Sequence, residues 1–143
     1  MKQILLAGLV LLCCTVFNIS INAQCGKNLV LTSSKTEYLD TAGAVRRTVD
    51  EKTRIDITPK SITISPASDH AMTGEILSAT CVWKTAFQEG KSEFKTRFED
   101  QGESKSITIT LEGKNGKLSF LAVFDDAPDK RIRVWLDGFE EKK

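Results

Sequence analysis

The sequence is poor in the residues that carry most protein chemistry. Its 143 residues include one histidine, His70, one tyrosine, two methionines and three prolines. A zinc site takes three or four thiolate or imidazole ligands at close spacing, and one histidine with well-separated cysteines does not supply them. No Gly-x-Ser-x-Gly elbow is present to expose a nucleophile. A Ser/His/Asp relay around His70, in Pro66-Ala67-Ser68-Asp69-His70-Ala71, therefore lacks its usual support, and His70 reads as a solvated loop residue. Gly-rich phosphate loops are absent, as are internal repeats, low-complexity tracts and charge blocks. Asp125-Asp126-Ala127-Pro128-Asp129 gathers three carboxylates, but it lacks the EF-hand spacing, and Lys130 and Arg131 follow at once. It reads as a polar turn. No metal or cofactor is expected.

Long apolar runs are missing too, except at the start. Lys2 precedes Ile4-Leu5-Leu6-Ala7-Gly8-Leu9-Val10-Leu11-Leu12, which continues to Phe17, and small and polar residues end at Ala23. A positive start, a short apolar core and a small residue at the cut describe a secretory signal over residues 1–23. The run is short for a membrane anchor. Leu12 before Cys13 and Gln24 before Cys25 do not suit lipid attachment. Cleavage would leave one domain, residues 24–143, secreted or periplasmic. Lys2 is the only charge removed, so 19 basic and 19 acidic residues remain of 20 and 19. A chain with no net charge offers no electrostatic footprint for nucleic acid or for an anionic membrane.

Two cysteines remain after cleavage, Cys25 and Cys81. An even count in an exported chain favours one intrachain disulfide. Two buried thiols, or a Cys25 bridging two chains, are the other arrangements open to them.

What the mature chain has in abundance is alternation of period two, the signature of half-buried strands. Ser106-Ile107-Thr108-Ile109-Thr110-Leu111-Glu112 and Lys117-Leu118-Ser119-Phe120-Leu121-Ala122-Val123-Phe124 flank Asn115-Gly116, a type I′ hairpin signal. That turn sets Leu111 against Phe120, Ile109 against Ala122 and Ile107 against Phe124. A second hairpin around Pro59 sets Ile57 against Ile62 and Ile55 against Ile64. Leu77, Ala79, Cys81 and Trp83 share a face, as do Phe94, Thr96 and Phe98, and Ile132, Val134 and Leu136. Strands are expected near 28–38, 44–49, 53–58, 61–65, 75–85, 92–99, 105–112, 117–124 and 131–137, followed by a charged tail. Short links make neighbouring strands antiparallel. The expected fold is therefore all-β: an antiparallel meander of eight or nine strands closed as a small barrel, or a β-sandwich.

Asn28-Leu29-Val30-Leu31-Thr32-Ser33-Ser34-Lys35-Thr36-Glu37-Tyr38-Leu39-Asp40, the turn at Gly43, then Thr53-Arg54-Ile55-Asp56-Ile57 and Ser61-Ile62-Thr63-Ile64 form a strand rhythm. It resembles that of small secreted bacterial lipocalin-like (calycin-like) β-barrel domains. Gly26-Lys27-Asn28 stands where lipocalins carry Gly-x-Trp. The resemblance implies a non-catalytic carrier.

Three functions remain. The first is an exported β-barrel that binds a small apolar ligand inside, or a protein partner on its rim, with Trp83, Phe94, Phe98, Phe120 and Phe124 as ligand lining or plain core. The second is an interaction module of the cell envelope with a filled core. The third is a hydrolase using paired carboxylates, for which Glu93 and Glu99 are examples, although Lys95 and Arg97 alternate with them as on a solvated face.

Overall fold

A computed structural model describes residues 25–142. The expected signal segment and the expected start at Gln24 lie outside the described residues. Nine strands follow one another: β1 (Asn28–Leu39), β2 (Val45–Ile57), β3 (Ser61–Pro66), β4 (Met72–Thr85), β5 (Glu89–Asp100), β6 (Glu103–Lys114), β7 (Lys117–Phe124), β8 (Ala127–Trp135) and β9 (Gly138–Lys142). Every pairing is antiparallel, and no helix occurs among the described residues. Consecutive strands from β1 to β8 pair in order, and β8 pairs back on β1, so eight strands form a closed ring. Closure leaves the main sheet without two bare edges.

The local signals that build this ring are turn signals. Asn115 and Gly116 have φ of 54° and 76°, the positive values a type I′ hairpin needs. The resulting ladder pairs Leu111 with Phe120, Ile109 with Ala122 and Ile107 with Phe124, the register the alternation calls for. Between β2 and β3, Thr58 N–H donates to the Ser61 carbonyl across Pro59-Lys60 (2.8 Å), and Ile57 meets Ile62. At the β1–β2 turn the Asp40 carboxylate accepts from the backbone N–H groups of Ala42 and Ala44, both at 2.9 Å.

The inward faces meet in one core that includes Leu29, Leu31, Ile57, Ile62, Phe94, Ile109 and Leu111. Burying each such side chain contributes about 1.5–3 kcal/mol.

Three expectations need correction. The segments 44–49 and 53–58 are a single strand, β2, which pairs with β1 along its whole length. The last strand and the charged tail are two strands, β8 and β9, and both lie on the same edge of β1. Leu77 does not share the inward face with Cys81. A β-bulge between Ile76 and Ser78 turns Leu77 outward, where it is 54% exposed.

Candidate functional site

Odd-numbered ring strands run from one end of the ring to the other, and even-numbered strands run back. The two ends differ. The end that holds the start of β1 and the β4–β5 and β6–β7 turns is filled. Cys25, just before β1, reaches Cys81 on β4 at disulfide distance, with Cα atoms 5.7 Å apart. Phe87 stacks between Trp83 and Phe139, with ring centroids 5.2 and 4.6 Å away. Trp83 Nε1–H donates to the Ser92 hydroxyl (2.8 Å), so the one polar atom of that indole is satisfied. Aromatic rings, a crosslink and the β9 strand together stopper this end.

The opposite half is hollow. A cavity of about 370 Å³ lies inside the ring, beneath the β3–β4 and β5–β6 turns. Its floor and walls are apolar, with Ile55, Met72, Phe98, Ile107, Phe120 and Phe124 among them. Toward the mouth come Tyr38, Glu51, Ser68, Asp69, Asp100 and Lys105. An eight-stranded ring has an interior just wide enough either to be filled by side chains or to hold one small ligand. Here one half of the ring is filled by side chains and the other half is hollow.

A second bulge shapes the cavity wall. On β1, Leu29, Leu31 and Ser33 are buried at odd positions. The ladder to β2 shifts between Ser33 and Lys35, and beyond it the even positions Thr36 and Tyr38 face the cavity. Thr36 is 7% exposed, and its hydroxyl makes no hydrogen bond to any described residue. Two other buried hydroxyls are paired: Thr96 donates to the Ile107 carbonyl at 2.7 Å, and Ser92 accepts from Trp83.

The mouth carries a small charged network. Asp69 Oδ1 accepts from the His70 backbone N–H (2.8 Å) and lies 2.7 Å from His70 Nδ1. His70 Nε2 is 3.7 Å from Asp100 Oδ1, so the imidazole sits between two carboxylates on different turns. The backbone N–H of His70, then its ring, hold the Asp69 carboxyl below its ordinary value. Glu51 accepts from the Ser68 backbone N–H (3.1 Å) and from the Ser68 hydroxyl. No serine hydroxyl hydrogen-bonds the His70 ring among the described residues.

Comparison with family models, with curated proteins and with solved structures returned no match. The site must be judged on its own geometry.

The aromatic residues singled out by sequence fall into three places. Phe98, Phe120 and Phe124 line the cavity. Phe94 is buried in the filled half, and Trp83 belongs to the stopper at the other end. Glu93 and Glu99 lie six residues apart on one strand, about 20 Å at a rise of about 3.3 Å per residue, too far to flank one glycosidic bond. At the Asp125 turn, Thr108 Oγ1 on β6 donates to Asp125 Oδ1 (2.7 Å) and Arg131 Nε–H donates to the Pro128 carbonyl (3.0 Å). Among the described residues no group of three or more His, Cys, Asp or Glu side chains could hold a metal ion.

Missed by sequence were Lys105, Thr36 and Thr53, polar residues on the apolar interior. A signal for Lys105 existed: it shares the parity of Ile107, Ile109 and Leu111, so it is a charge on the buried face of its strand.

A further concavity, about 330 Å³, is lined by Thr32, Ser34, Lys52, Arg54, Ser65 and their neighbours. Most of these are exposed or half-exposed polar side chains, the ordinary furnishing of a solvated groove. The interior cavity, walled by apolar side chains from nearly every strand of the ring, is the stronger candidate.

Proposed function

We propose that this chain is an exported, non-catalytic binding protein that holds one small apolar molecule inside its strand ring. The observation that carries the reading is the apolar cavity of about 370 Å³, set in a ring whose other end is stoppered. A natural core that merely needed filling would close to crystal-like density and leave few voids larger than a water. Export belongs to the same proposal and rests on the opening sequence and on the paired Cys25 and Cys81. So does the likeness to small secreted lipocalin-like domains, whose carriers use a ring interior in this way.

The test is native mass spectrometry of protein purified from its own source, followed by titration with decanol, an uncharged apolar probe. A one-to-one complex is expected. Ala122→Trp, which places an indole in the cavity wall, should abolish it while the strand spectrum is kept. A folded protein that binds no apolar probe would overturn the reading. The intact mass of the exported material is expected to equal residues 24–143; a mass that retains residues 1–23 would overturn the export part alone.

One observation favours a second reading, an interaction module. Beyond Ile76, β4 pairs only with β5, and Val82 on that stretch is 53% exposed. A stoichiometric protein partner that is lost on Val82→Asp, together with an empty cavity, would favour this reading.

A further inference from the structure

One cation on the cavity wall has no partner of its own among the described residues. Three carboxylates reach the mouth, and two of them accept hydrogen bonds. Glu51 accepts from Ser68, Asp69 accepts from His70, and Asp100 faces the other nitrogen of the same imidazole. Lys105 differs. It projects from the inward face of β6, paired across the ladder with Phe98, and it is only partly exposed. Among the described residues it has neither an ion-pair partner nor a hydrogen bond. An ammonium brings three donors and no acceptor, and holding it against an apolar wall is costly unless an acceptor meets it. On another wall of the cavity, the buried Thr36 hydroxyl and its neighbour Thr53 also lack partners. Arg47 adds a second positive charge nearby, with its guanidinium 4.3 Å from the centre of the Tyr38 ring that lines the cavity.

We infer that the ligand is an anionic amphiphile, an apolar body ending in a carboxylate or similar oxyanion, whose charged end is met by Lys105 and whose apolar end lies against Phe98, Ile107 and Phe120. This rests on the cavity reading above. An apolar body alone would leave the Lys105 ammonium unpaired, and a cationic head would repel it. A carboxylate supplies the acceptor that Lys105 lacks, and charge-assisted bonds of this kind are the strong ones.

Three probes of equal chain length separate the possibilities: decanoate, decanol and decylammonium, each titrated below its aggregation threshold. Decanoate is expected to bind about tenfold or more tightly than decanol, the range of one charge-assisted hydrogen bond, with decylammonium weakest. Lys105→Met should remove that preference, and a retained strand circular-dichroism spectrum shows that the variant is folded. Lys105→Arg should keep it. Decylammonium binding as tightly as decanoate would overturn the inference while leaving the cavity reading intact, as would a decanoate preference that survives Lys105→Met. Failure of all three probes to bind the folded protein would overturn both.

Discussion

Gly74 on β4 stands directly opposite Phe98 on β5, and the Phe98 ring lies over the glycine in the space a side chain would occupy. A methyl group built on Gly74 would come within 2.6 Å of ring atoms Cδ2 and Cζ, closer than real contacts allow. The ring can yield only by swinging away from β4, and it lines the cavity. Gly74→Ala should therefore reduce the cavity and weaken decanol binding, although residue 74 itself does not line it. Unchanged affinity in a folded Gly74→Ala protein would mean that Phe98 has another place to go.

The β6–β7 turn supplies a test of register. Gly116 has φ of 76° with open space where a side chain would sit, so its constraint is conformational and not steric contact with a neighbour. Gly116→Val should cost on the order of 1–2 kcal/mol of stability, because a β-branched residue resists positive φ. Lys114→Val, outside the two-residue turn and in strand conformation, should be nearly neutral. Chemical denaturation of the two variants checks this; equal stabilities would contradict the turn geometry.

That hairpin was legible in the sequence because two independent signals, turn chemistry and alternation, select one register. The same held for Ile57 against Ile62. Legibility failed wherever the period slipped. The bulge after Ser33 hands the interior from odd to even positions, and the bulge after Ile76 ejects Leu77. The β9 strand was missed for a different reason: Glu140, Glu141 and Lys142 are exposed, and main-chain pairing to Asn28–Val30 holds them in place with no apolar alternation. Of the candidate site, Phe98, Phe120 and Phe124 could be read because aromatic residues on an alternating strand must face a core. Which end of the ring is hollow could not be read, because that depends on how high each strand rises. Trp83 was assigned to the same group for want of that information.

The crosslink at the filled end should be structural. Replacing Cys25 and Cys81 with serine is expected to lower the unfolding free energy by about 4 kcal/mol in the chain-entropy account of a loop this long, the cysteines being separated by 56 positions in sequence. Alkylation without reductant should label neither cysteine. Labelling of both in folded protein, or a denaturation midpoint unmoved by the double substitution, would refute the pairing.

The mouth has an acid dependence of defined sign. Asp69 is held below the ordinary carboxylate value by the His70 backbone N–H and by the imidazole. A lowered folded value contributes stability that is present above the unfolded value, about 3.9, and is lost as pH falls through the folded one. The stability difference between wild type and Asp69→Asn should hold from neutral pH down to about pH 5, then close in stronger acid. A difference that widens on acidification would show the sign to be wrong.

The long strand β1 has three partners: β2 on one edge, and β8 and β9 in tandem on the other, with the Asp137 N–H donating to the Thr32 carbonyl where one partner gives way to the next. Leu29 thus pairs with Glu141, and the first and last described strands are neighbours. A newborn chain can zip its hairpins one after another as they leave the ribosome, since each is local. One edge of β1 stays bare until β8 and β9 appear. Such high contact order delays closure, and it leaves that edge open to foreign strands in the interval. The short charged strand β9 therefore works as a clasp, fastened after β1 to β8 and fastened onto β1.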